Sequence, residues 1–207
     1  MATEGEFLSP KTKMIRVWHW LNAIALFGLM ATAILRKTFL SWRTNSAIIV
    51  DKLAEAGTTV TPELAKDIAV TIRTPMWDFH YIFGFALVAL FIARIAMSFM
   101  PGQPGIWSEL KATFGVSSRH KTLVKIGYFV FYIIVAYMAV SGVLMYFKAE
   151  LGLDKAVSGQ LKEIHEWLMW FFYAFTVQHI VGVFLAEVQG NEGLVSTMIS
   201  GGDRFKK

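Results

Sequence analysis

Apolar and polar positions alternate along this chain in long blocks rather than in short periods. Four stretches, at about residues 15–35, 79–100, 124–147 and 163–187, are dominated by apolar side chains and separated by polar connections. At 1.5 Å per helical residue each is about long enough to cross the roughly 30 Å hydrocarbon core of a bilayer. Trp18 and Trp20 suit the interfacial end of the first span. Pro101, Gly102, Pro104 and Gly105 break the chain after the second. The third, from Ile126 to Phe147, holds no charge and no histidine, and its small Gly127, Ser141 and Gly142 leave room for a flat cofactor or a neighbouring helix. The pattern predicts an all-α integral membrane four-helix bundle, one domain over 1–207. The first fourteen residues lack the form of a signal peptide, so the N-terminus is expected to be retained.

Residues 36–77, between spans one and two, form a connection too long for an ordinary turn, so it should carry structure of its own. Two short helices are expected. Asn45 or Ser46 can cap the first, which stops at Gly57; Thr61 can cap the second, with Pro62 at its first position, Leu64, Ile68 and Ile72 along one face, and Pro75 ending it. Amphipathic helices lying on the membrane surface or over the bundle are the plainer reading of this loop, and a docking platform is the other.

Composition agrees with a membrane protein: 55% of residues are hydrophobic, mean hydropathy is +0.49, and 17% are charged, below the roughly 25% of a soluble domain. There is no cysteine, which excludes disulfides, iron–sulfur ligation by this chain and thioether-attached haem. The net charge of +5 is spread without a basic cluster, and the aromatics sit in apolar spans, so a nucleic-acid partner is set aside. Four spans put both termini on one side. The termini, the second connection and the end of span two hold eleven Lys and Arg, against nine on the first and third connections. The positive-inside rule therefore favours cytoplasmic termini and an extracytoplasmic 36–77 loop.

The candidate chemistry lies in the histidines. His165 and His179 are fourteen residues apart in the last span, hence within roughly 40° of one helix face and about 21 Å apart along its axis. An ionisable side chain inside a membrane helix is costly unless it faces the protein interior, and neutral imidazole is a common metal ligand. With cytoplasmic termini, His19 and His179 share the inner depth, and His80 and His165 share the outer. Each pair could bracket one haem iron. Taken singly, His19, His80 and His165 could be solvated at an interface, and His179 could bond a carbonyl; their arrangement as two level pairs favours haem. His120, in a basic connection with no partner at its level, reads as solvated. Zinc usually takes three or four protein ligands, and each level supplies two. Two axial imidazoles leave iron no open position, so the work implied is electron transfer. Arg94 lies fourteen residues after His80, on nearly the same face, and Arg16 lies one turn from His19. Either guanidinium would suit a haem propionate or a quinone carbonyl, although Arg94 near a span end could merely snorkel.

The stretch IRVWHWLNAIALFGLMATA, the histidine opening span two, the segment IHEWLMWFFYAFTVQHIVGVF and the tail VSTMISGGDRFK together resemble the b-type cytochrome subunit of membrane-bound nickel–iron hydrogenases. That subunit belongs to a wider bacterial group of four-helix dihaem cytochromes serving several respiratory complexes. The resemblance covers all four spans. It departs at Glu166, where members often carry a second histidine, at Thr32-Ala33 for Thr-Gly, and at Gly202-Asp203 for Trp-Arg. It implies two non-covalent haems b, ligated at His19, His80, His165 and His179, in a multi-pass protein of the bacterial inner membrane. Electrons from hydrogen oxidised outside would pass from the outer haem to the inner haem to membrane quinone. Residues 42–74 and 148–163 would then face the extracytoplasmic hydrogenase. The rival classes are a stand-alone dihaem enzyme such as a superoxide:quinone oxidoreductase, a cytochrome subunit of another respiratory complex, and a haem-free transporter or scaffold.

Overall fold

The computed structural model describes residues 12–101, 105, 119–189 and 193–201. Among these the chain is all-helical, in the order α1 (Lys13–Lys37), α2 (Trp42–Glu55), α3 (Pro62–Ile72), α4 (Thr74–Met97), α5 (Arg119–Tyr146), α6 (Lys155–Val188) and α7 (Leu194–Ser200). Four helical stretches in the described residues are long and apolar enough to cross a membrane: α1, the continuous stretch Pro62–Met97, Ile126–Tyr146 of α5, and α6. The protein is thus a multi-pass helical membrane protein. The expected break after span two and the charged tail after Gly201 fall largely outside the described residues, as does the side chain of His120.

The chain divides into two compact units, one of residues 24–86 and one of 1–23 with 87–207. In the first, α2 and α3 pack on one another. Thr61 caps α3 by accepting a hydrogen bond from the Leu64 amide at 3.2 Å, with Pro62 following, as the sequence indicates. Gly57 adopts a left-handed φ of +75° where α2 stops, a conformation costly for other residues. The start of α2 differs from expectation. Ser41, not Asn45 or Ser46, is the N-cap residue, and its side chain makes no capping bond. The Asn45 amide instead donates to the Phe39 carbonyl at 3.0 Å, bracing the turn before the helix. Pro75 does not simply end α3. It falls in the first turn of α4, where a missing amide costs little, and only Arg73 separates the two helices. On α3 Ala65 and Ala69 are fully buried, while Leu64, Ile68 and Ile72, spaced along one face, are exposed. Alanine lets two helix backbones approach closely. In the same unit α1 meets α4 at Gly28, where an added Cβ would lie 2.5 Å from the Phe83 ring.

In the second unit α5 packs along α6. Phe131 stacks on Phe175 at 4.3 Å between centroids and meets the buried Phe172 edge-on at 5.8 Å. Asp154 caps α6 by accepting from the Val157 amide at 2.8 Å. Glu187, near the other end of α6, accepts from the amides of Gly193 and Val195 and so satisfies the first turn of α7. The opposite end of α7 is held by α1: Arg16 donates to the Ile199 carbonyl at 3.0 Å, and the Trp20 indole donates to Met198 at 3.2 Å. The Trp18 indole donates to the Leu90 carbonyl at 2.8 Å, tying α1 to α4.

Candidate functional site

Helices α1 and α6 bring His19 and His179 together, with ring centroids 6.1 Å apart and planes inclined by 55°. A metal–nitrogen bond is about 2.0–2.1 Å and a ring nitrogen lies about 1.1 Å from its centroid, so two imidazoles opposed across one metal ion need roughly 6.2 Å between centroids. The spacing fits a bis-imidazole site. Both rings are half-buried. Phe175, one turn before His179, stacks parallel to it at 6.1 Å and 3°, and Trp20 meets His19 edge-on at 5.5 Å. Among the described residues no group of three or more His, Asp or Glu gathers as a metal cluster.

The two candidate arginines sit close to His19 in the chain or beside its neighbour. Arg94 is only 3% exposed. Its guanidinium lies 5.7 Å over the Trp18 ring, and Nη1 reaches Ser98 Oγ at 3.4 Å. A guanidinium this buried is not snorkelling to water. Arg16 uses Nη1 on the last carbonyls of α7, where Gly201, at φ +87°, lets the guanidinium lie against the backbone. Its Nε is buried with no hydrogen-bond partner among the described residues. An orphaned buried donor one turn from a candidate ligand fits an anionic acceptor such as a propionate.

His80, in the unit of residues 24–86, is fixed differently. Its Nδ1 lies 2.8 Å from Thr32 Oγ1, which also donates to the Leu29 carbonyl at 2.8 Å. Trp77 meets its ring edge-on at 5.5 Å, and Arg36 sits 5.5 Å over Trp77. His165, in the other unit, repeats the arrangement. Its Nδ1 lies 2.8 Å from Ser141 Oγ, which donates to the Met138 carbonyl at 3.3 Å. Gly142 lies alongside, so that an added Cβ would meet His165 Cε1 at 3.6 Å. In each case Nδ1 is the ring nitrogen that meets the hydroxyl. His80 and His165 belong to different compact units.

Two hydroxyls that each meet a candidate histidine escape the reading of the sequence. Thr32 registers only as a polar residue in span one, and Ser141 only as a small one in span three. The available signal is that both are hydroxyls in apolar spans, where a polar group must find a partner inside the protein. Tyr137, one turn before Ser141, has a buried hydroxyl with no partner among the described residues.

A family model described as prokaryotic cytochrome b561 matches residues 12–201. The chain is also 23% identical, over 223 aligned positions covering 93% of this chain and 85% of the other, to a protein of Cupriavidus necator named "Probable Ni/Fe-hydrogenase B-type cytochrome subunit". No solved structure matches the chain.

Proposed function

Because the chain belongs to the prokaryotic cytochrome b561 family, and is therefore a membrane electron-transfer cytochrome, we propose that it carries electrons from an extracytoplasmic oxidoreductase to membrane quinone. Nickel–iron hydrogenase is the donor favoured by the name of the Cupriavidus necator relative and by the tail motif. His19 with His179 would hold one haem b, and His80 with His165 the other. Bound there, haem b would supply one-electron redox chemistry. The chain's part is to orient four imidazoles, keep water from them with aromatic and aliphatic side chains, and set the charge around each site. Arg16 and Arg94 provide cationic donors near His19 for propionates or a quinone carbonyl. The extracytoplasmic loop of α2 and α3, with its exposed Leu64, Ile68 and Ile72, provides the surface for the donor.

The observation that carries this reading is the His19–His179 pair, with ring centroids 6.1 Å apart. The purified protein is expected to bind two non-covalent, acid-extractable haems b per chain, both low-spin in absorption spectra. In proteoliposomes it should couple hydrogenase-driven reduction to quinone. A single haem per chain or mainly high-spin iron overturns the pairing, and a haem-free protein overturns the function.

A further inference from the structure

The hydroxyls of Thr32 and Ser141 each touch one candidate ligand, and hydrogen counting fixes what they do. A threonine hydroxyl has one proton. Thr32 Oγ1 gives it to the Leu29 carbonyl, which can only accept, at 2.8 Å. The 2.8 Å contact to His80 Nδ1 must therefore run from the ring N–H to the hydroxyl oxygen. That leaves His80 protonated on Nδ1 with a lone pair on Nε2, the tautomer an axial ligand needs. Ser141 is 1% exposed and stands in the same relation to the Met138 carbonyl and His165 Nδ1, through a longer 3.3 Å carbonyl bond. The two helices α1 and α5 have thus placed the same three-part chain, imidazole to hydroxyl to carbonyl three residues back, against different histidines in different units.

We propose that Thr32 and Ser141 are positioning residues that fix the tautomer and ring orientation of His80 and His165 and poise the potential of the haem these two hold. The proposal rests on the reading above that His80 and His165 serve one iron. A ring N–H bonded to an oxygen makes the opposite nitrogen a stronger donor to the metal. A stronger donor favours ferric over ferrous iron and lowers the midpoint potential. Thr32, with the shorter carbonyl bond, is the stronger of the two relays.

The test is a redox titration of the purified full chain with its haems, together with low-temperature EPR of the ferric protein, for Thr32→Val, Thr32→Ser and Ser141→Ala. Thr32→Val should shift the ferric-to-ferrous preference of one haem three- to tenfold, moving its potential up by as much as about 59 mV for one electron. The same haem's ferric g-values should change as the ring turns. Ser141→Ala should move the same potential by less, and Thr32→Ser, which keeps the hydroxyl, should match the wild type. If Thr32→Val instead sheds one haem while Thr32→Ser retains both, the relay stands as a stronger requirement for ligation. Unchanged potentials and g-values in Thr32→Val and Ser141→Ala overturn the relay, as does loss of both haems in Thr32→Val or loss of a haem in Thr32→Ser, which indicate a packing role. Shifts in different haems overturn the shared site. Wild-type protein without haem refutes the functional reading itself, a result separate from any of these.

Discussion

His19 and His179 face one another across two helices, flanked by Trp20 and Phe175, and among the described residues neither ring has a hydrogen-bond partner. His80 and His165 each spend Nδ1 on a hydroxyl. The first pair is held by packing; the members of the second are each held by a directional polar bond. The contrast has an electrochemical consequence on the proposed function. Imidazoles that donate at Nδ1 favour ferric iron and a low potential. The buried cation Arg94, lying over the residue that precedes His19, favours the less positive ferrous state and a high potential. With the proposed pairing, an electron would then run downhill from the His80–His165 haem to the His19–His179 haem, the direction in which the proposed function carries it.

The largest effects come from the ligands themselves. Replacing His19 or His179 by Ala should remove the same haem, the one of higher potential, and the double variant should add little because the two act as one unit. Replacing His80 or His165 should remove the lower-potential haem. Absorption spectra and redox titration of the purified variants read both outcomes. If His19→Ala and His165→Ala remove the same haem, the assignment of pairs is wrong.

The next test removes the α2–α3 connection, which belongs to the unit of residues 24–86 alone. Deleting residues 45–72 should leave both haems bound yet abolish reduction by a hydrogenase donor, while dithionite still reduces both. Undiminished turnover with the donor leaves α2 and α3 as helices lying on the membrane.

What the sequence revealed of these two regions follows from the range of each interaction. The four spans were legible because hydrophobic length belongs to one segment at a time. The Thr61–Pro62 start and the Gly57 stop were legible because a cap acts within a turn. The candidate histidines stood out because ionisable groups are rare in apolar spans, and fourteen residues is close to a whole number of turns. The buried side of α3 was not legible: Leu64, Ile68 and Ile72 mark an apolar face, but nothing in the periodicity says that Ala65 and Ala69 are the residues packed against a neighbouring helix. Ser41 at the start of α2 is of a type that caps helices, but its side chain makes no capping bond, and Asn45 and Ser46 nearby are equally suitable types, so residue type alone does not place this start. Thr32 meets His80 and Ser141 meets His165 from a neighbouring helix, and one-dimensional periodicity does not say which hydroxyl meets which ring.

A smaller effect, confined to the His80 region, is expected from Gly28. An added Cβ would lie 2.5 Å from Phe83 Cδ2 and 2.7 Å from Cγ, close to the root of a rigid ring, so α1 and α4 must shift apart locally. Such overpacking costs about 1–3 kcal/mol. Thr32 follows Gly28 by one turn, and His80 precedes Phe83 by one turn. Gly28→Ala should therefore lower the thermal midpoint and stretch the Thr32–His80 bond, moving the lower potential and leaving the upper one in place. Movement of the upper potential alone would contradict this coupling.

The finest test is of Arg94, the cation assigned to the other side of the comparison. Arginine stays charged in proteins, and a unit charge on the order of 10 Å away at an effective dielectric of about 20 is worth about 1.7 kcal/mol, or about 70 mV for one electron. Arg94→Gln should lower the potential of the His19–His179 haem by up to that amount, because removing a positive charge makes ferric iron easier to form. Packing against Trp18 is a separate contribution, since the guanidinium also covers the indole at 5.7 Å. Arg94→Lys separates the two: it keeps the charge but not the flat stacking surface, so it should hold the potential near the wild-type value while lowering thermal stability. Equal potentials in the wild type, Arg94→Gln and Arg94→Lys would assign Arg94 to packing alone and leave the hydroxyl bonds of His80 and His165 as the source of any difference between the two haems.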